Sequence, residues 1–287
     1  MNAAIRDLLA HKDKRWLCIW LGGLMMLWLW NSAFLNRPAL ALLRAASLNT
    51  LLVGVVVVLL ATMLGWLSGV ALHVFADLRR RLPLMILTFA LNLIRSIPQI
   101  IGALIGYVIL TLLIHDEILR GALVQLLWIA LVISLFVFLE ISDLIRERIA
   151  YYKKLDFYDA MLCSGIRERR IINNEILWKN SRAHLLHKLI AVFGMTIFLL
   201  CSVDFIISVG LSTDISLGNF PVTLGGLLAR LDSKQDILAI GAALTDPVSV
   251  TGLVFEHLQG VSTAFTIVFS LVCLHKISNG LVQRLKL

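Results

Sequence analysis

The chain has 287 residues, of which 59% are apolar and only 15% charged, against roughly 25% charged in an ordinary globular domain. A mean hydropathy of +0.89 leaves too few polar residues to cover a solvated surface, which excludes a secreted disulfide scaffold, a disordered tail and a typical cytosolic enzyme and leaves an integral membrane protein. The formal charge of +8 fits nucleic acid, anionic lipid or the positive-inside bias of membrane loops, and the positions of the charges decide among them.

A bilayer core of about 30 Å needs about 20 apolar residues in a helix. Trp16 to Phe34 supplies the first run, after the basic cluster His11–Arg15. The run exceeds the usual h-region of a signal peptide and no small-x-small cleavage site follows it directly, so it reads as a span. Leu48 to Phe75 is the second run and ends at Asp77-Leu-Arg-Arg-Arg81. Pro83 to Ile114 is too long for one simple span and is interrupted by Arg95-Ser-Ile-Pro98. Proline removes a helical donor and restricts the residue before it. The stretch therefore reads as a cytoplasmic-side or interfacial helix at about 83–94 and a third span at about 97–114. Ile118 to Leu139 is the fourth run, Leu189 to Leu211 the fifth, and about 251–274 a weaker sixth, with Glu256 and His257 near its start.

Six spans put both termini on one side. That side carries 20 basic residues, ten of them between 140 and 188, whereas Arg37, Arg44, Arg120, Arg230 and Lys234 are the five on the other. This imbalance places the termini in the cytoplasm and removes most of the support for nucleic acid as a partner. Cys18, Cys201 and Cys273 fall in spans and Cys163 in a loop, so no pair lies where a disulfide would form. His184 and His187 lack the further ligands that a metal site needs.

The segment from Glu140 to Lys188 is charged and helical in pattern. Tyr151, Leu155, Tyr158 and Leu162 recur at i, i+4, i+7 and i+11, which predicts one apolar helical stripe. Gly165 suits a helix end in the left-handed conformation. A second amphipathic helix is expected over Arg167–Trp178, with Ile172 and Ile176 one turn apart. Periodicity alone leaves open whether this pair of helices docks onto a protein or lies on anionic lipid through Arg167, Arg169 and Arg170.

Asp159-Ala-Met-Leu-Cys-Ser-Gly165, followed by Ile176-Leu177-Trp178, resembles the EAA motif of bacterial ABC importer permeases, which reads Glu-Ala-Ala, three residues, Gly, then Ile-Leu-Pro. Asp159 stands in the Glu position, Ala160 in the first Ala position, Gly165 in the Gly position and Ile176-Leu177 in the Ile-Leu position; Met161 and Trp178 depart from the motif. Asn92-Leu-Ile-Arg-Ser-Ile-Pro98, Ser208-Val-Gly-Leu211 and His275-Lys-Ile-Ser-Asn-Gly-Leu281 are similar to segments of the second permease subunit of dipeptide, oligopeptide and nickel importers. Two segments of that branch, outside the membrane, are missing or reduced here, the second to Gly218–Pro221 and Gly225-Gly226.

The resemblance implies an all-α integral membrane protein of the type I importer permease fold in a bacterial inner membrane. It divides the chain into residues 1–41, an N-terminal segment with the first span, and 42–287, the permease domain, with a coupling loop at about 140–188. It also implies a homologous permease subunit, two ATP-binding subunits and an external substrate-binding protein as partners, with peptide, nickel or a metal chelate as cargo. Asp159, Ala160, Gly165, Arg167, Arg169, Arg170, Ile176 and Leu177 would couple to the ATPase. No resident cofactor or metal is expected. The chain contains no G-x-x-x-x-G-K-[ST], G-x-S-x-G or H-E-x-x-H, so ATP hydrolysis is expected in a separate subunit.

Intramembrane acids usually face a cavity or a partner, and apart from Glu256 near the start of the weak sixth run, Asp204 is the one carboxylate within a predicted span. It reads either as a pathway residue or as an outer-leaflet acid hydrated from the surface. Arg95 either lines the pathway, neutralises acids at its inner mouth or snorkels to the interface. Trp16, Trp20, Trp28 and Trp30 read as interfacial anchors, and Gly65 and Gly69 as a helix-packing pair. Two rival classes are a self-contained ion-coupled transporter using Asp204 and a non-transporting membrane scaffold or intramembrane enzyme.

Overall fold

Helix boundaries in this chain follow its caps and prolines. In the computed structural model, which describes residues 11–78, 80–208, 220–230, 245–246 and 258–285, α1 (Lys12–Phe34) turns through Leu35 and Asn36 into α2 (Arg37–Asp77). The Asn36 side chain accepts a hydrogen bond from the Ala39 N–H at 2.9 Å, satisfying one of the orphan donors of the helix start. Pro38 fits in the first turn because its missing donor costs nothing there. The second helix is thus longer than its apolar run, and the division drawn at 41/42 falls inside it.

Ile97 is extended, as a residue before proline should be. It separates α3 (Arg81–Ser96) from α4 (Gln99–His115), and the two helices meet at 90°. Gly121, at φ +95, precedes α5 (Ala122–Val137), which bends by 40° into α6 (Leu139–Tyr152). α7 (Asp156–Cys163), a helical turn at Glu168–Arg170 and a wide π-helix at Ile171–Asn180 follow. α8 (Arg182–Ser208), the short α9 (Leu224–Arg230) and α10 (Leu258–Leu285) complete the described chain.

No strand occurs among the described residues. Helices α1, α2, α8 and α10 are each long and apolar enough to cross a membrane, and the bent pairs α3–α4 and α5–α6 raise the number to as many as six. Over the described residues α10 runs from Leu258 to Leu285, overlapping the expected sixth span, and the C-terminal motif His275–Leu281 is helical. Glu256, His257, Val209–Leu211, Gly218 and Asn219 lie outside the described residues, as do Arg79, Lys234 and the first ten residues.

The main core joins α2–α8 and the π-helix around Val53, Val57, Tyr107, Ile133, Ile145 and Leu200. Small residues let the backbones approach. A Cβ on Gly65 would stand 2.8 Å from Ile141 Cβ and 3.0 Å from the Phe138 carbonyl oxygen, and one on Gly69 2.9 Å from Ile145 Cγ2. This close α2–α6 contact is closed by a buried hydrogen bond between Ser68 and Ser142, at 2.9 Å. α1 lies on the periphery. It packs along α10 through the Trp20 indole N–H to Ser270 (3.1 Å) and the Ser262 hydroxyl to Asn31 (2.6 Å), while Met25, Met26 and Leu29 are exposed.

Candidate docking surface and its anchor

The loop between α5 and α8 is built from short helices, each with a defined end. α7 stops at Gly165, whose φ is +77. The Gly165 N–H bonds to the Leu162 carbonyl at 2.9 Å and the Ile166 N–H to the Met161 carbonyl at 3.2 Å, the reciprocal pair of a Schellman cap. Nothing lies within 4 Å of where a Cβ on Gly165 would stand. Glycine is therefore required here by backbone conformation and not by crowding.

Two sequence expectations change. The stripe Tyr151, Leu155, Tyr158 and Leu162 is not continuous, because α6 ends at Tyr152 and α7 starts only at Asp156, with Leu155 extended between them. Of the four, Tyr158 alone is buried. The second amphipathic α-helix is also replaced. After one α-turn at Glu168–Arg170 the chain widens into the π-helix, where hydrogen bonding runs i to i+5. Ile171 and Ile176, and likewise Ile172 and Leu177, are five residues apart and share one face, and all four are buried.

The residues expected to meet an ATPase consequently divide into two groups. Asp159, Ala160, Gly165, Arg167, Arg169 and Arg170 are exposed. Ile176 and Leu177 are 0% exposed and belong to the main core; they offer no surface to a partner and instead root the exposed segment in the bundle.

A polar cluster not anticipated from the sequence ties this segment to α2. The Lys153 ammonium donates to Asp77 Oδ2 at 2.8 Å and to Glu168 Oε1 at 3.0 Å. Tyr158 donates its phenolic proton to Glu168 Oε1 at 2.5 Å. His73 Nε2 lies 3.0 Å from Asp77 Oδ2 and 3.2 Å from Glu168 Oε1. Partial burial disfavours ionised Glu168, but the bonds from Tyr158 and Lys153 outweigh it and hold the carboxyl down at about 2. Burial also opposes the Lys153 charge, and the bonds to Asp77 and Glu168 reverse that and raise its pKa. Burial and the Glu168 bond push the Tyr158 phenol up to about 12.

His73, Asp77 and Glu168 place one ligand atom each within 4.8 Å of one another, the spacing of a metal triad. The ammonium of Lys153 already sits between both carboxylates, however, and would repel a divalent ion there, so the group is read as an ion-paired anchor. The only sequence signal for it was the i, i+4 pair His73 and Asp77; Lys153, Tyr158 and Glu168 arrive from 76 to 95 residues away.

Asp204 is 2% exposed, so it is not an acid hydrated from the surface. Its Oδ2 accepts the Thr223 hydroxyl at 2.6 Å, and Tyr107 donates to Oδ1 at 3.3 Å. The same polar layer holds the start of α9 to α2, through the Leu224 N–H to Thr50 Oγ1 (2.9 Å) and the Asn49 amide to the Val222 carbonyl (2.7 Å). A Cβ on Gly225 would lie 2.6 Å from Cys201 Cα and 2.8 Å from Asp204 Oδ2, so glycine lets α9 approach α8 this closely. Neither Thr223 nor Tyr107 was singled out from the sequence. Arg95 pairs with an acid: its Nη2 donates to both carboxylate oxygens of Asp143 of α6, at 2.7 and 2.8 Å. It is about half exposed.

No protein-family model matches the chain, and no curated protein matches it in sequence.

Proposed function

We propose that this chain is a membrane-embedded permease subunit of an ABC-type importer, forming half of a solute pathway and driven by a separate ATPase. The observation that carries the reading is the loop from Leu139 to Asn180: a Schellman cap at Gly165 presents Asp159, Ala160 and three arginines outward, while the ion pairs of Lys153 and Glu168 bind it to a membrane-length helix. A surface of this kind passes a push from outside to α2 and α6 as a rigid body, which is what alternating access by rocking requires. Resemblance to the EAA motif supplies the identity of the pusher, and the similarity of Asn92–Pro98 and His275–Leu281 to the dipeptide, oligopeptide and nickel permease branch supplies peptide, nickel or a metal chelate as the cargo class. The partners are a homologous permease, two ATP-binding subunits and an extracytoplasmic binding protein, with the loop and both termini on the cytoplasmic side of a bacterial inner membrane.

The test is to extract the full chain from its native membrane in mild detergent and identify what accompanies it. Co-purification of an ATPase whose hydrolysis is uncoupled by Gly165→Val supports the reading; active transport by the chain alone sinks it. Burial of Asp204 among hydroxyl groups keeps one alternative, an ion-coupled transporter working through that carboxylate. In that case transport by the purified chain follows an ion gradient, needs no ATP and is lost in Asp204→Asn.

A further inference from the structure

α3 presents three faces. Leu84, Leu87, Leu91 and Ile94 pack on the main core. Arg81, Thr88, Asn92 and Arg95 recur at i, i+7, i+11 and i+14 and form an exposed polar strip. Leu82, Met85, Ile86, Phe89 and Leu93 form a third strip that is 57% to 69% exposed, an apolar surface with no partner within the described chain. A helix in water would not carry such a strip, and a spanning helix would not carry the polar one. The axis settles the geometry, since α3 stands at 90° to α4. If α4, with 17 residues of apolar helix, runs through the bilayer, α3 lies along its surface.

The charges select the kind of surface. Arg95, at one end of α3, is neutralised by Asp143. Arg80 and Arg81, at the other end, are exposed and form no ion pair among the described residues. We infer that α3 is an in-plane membrane anchor, with Leu82, Ile86, Phe89 and Leu93 set among acyl chains and Arg80 and Arg81 on the headgroups of anionic phospholipid. The core face then holds the bundle at a fixed depth, and the Ile97–Pro98 break becomes the corner between surface and span. The helix lies on the bilayer in this way whether or not the chain works with an ATPase.

The test has two arms. In the first, Phe89→benzoylphenylalanine in the full chain is illuminated in membranes of the expressing cell and the adduct is weighed. An added phospholipid mass is expected. An adduct with a second copy or another protein, or no adduct at all, overturns the assignment. In the second, the same chain in nanodiscs of phosphatidylcholine with phosphatidylglycerol is compared with Arg80→Ala/Arg81→Ala. The phosphatidylglycerol share of the adduct should fall by about fivefold per arginine, equivalent to about 1 kcal/mol each. An unchanged share overturns the role of anionic lipid.

Discussion

Gly165 and Glu168 are three residues apart and act by different physics. The glycine holds φ +77 in open space, a conformation that costs an ordinary L-residue roughly 1–2 kcal/mol and asparagine less. Gly165→Asn should therefore leave the loop nearly as resistant to limited proteolysis as the parent, whereas Gly165→Val should open it; equal behaviour of the two variants would show that the left-handed cap is not what holds the turn. Glu168 works by charge. Its carboxyl is held at about 2 against 4.5 ordinarily, so its contribution is complete above the ordinary value and is lost as pH falls through the interval to about 2. Thermal stability of Glu168→Gln should trail the parent above about pH 5 and converge on it at lower pH (about 4.5 down to 2). A gap independent of pH over that acid range would mean the ion pairs contribute little. For Asp204, the leucine variant would leave the Thr223 and Tyr107 hydroxyls without their acceptor, at about 1–3 kcal/mol for each buried group. Asp204→Asn keeps an acceptor and should unfold at a higher temperature than Asp204→Leu; the reverse order would contradict the hydrogen-bonded role.

At the scale of elements, α2 and the π-helix do the joining. A helix of 41 residues is about 60 Å long at 1.5 Å per residue, roughly twice the hydrocarbon thickness. α2 therefore reaches beyond one leaflet, and its last turns bring His73 and Asp77 to the charged loop. The α2–α6 contact depends on Gly65 and Gly69, so Gly65→Leu should force Ile141 and the Phe138 carbonyl aside at about 1–3 kcal/mol, read as a lowered unfolding temperature of the purified chain. An unchanged temperature would show that the two helices can separate freely. The π-helix shows why a pattern can be seen and still misread. Ile172 and Ile176 were recognisable as one apolar face of a helix because an α-helical period pairs them. The five-residue register of the wide helix instead pairs Ile171 with Ile176 and Ile172 with Leu177, and so buries all four.

For the molecule as a whole, the presence of helices long and apolar enough to cross a membrane, the break at Pro98 and the helix end at Gly165 were legible in the sequence. Each depends on local quantities: the apolar content of a window, the missing donor of a proline, the freedom of a glycine backbone. Burial of Ile176 and Leu177, the anchor of Lys153 and Glu168 on Asp77, and the enclosure of Asp204 by Tyr107 and Thr223 were not. These are meetings of residues between 19 and 97 positions apart, and no one-dimensional period records which helix faces meet. The lasting example is the basic loop. Its charge was plain from the sequence alone, since composition is additive along the chain. Tertiary structure decided which charges stay outward and which are consumed in holding the loop, because an ion pair depends on distance in space.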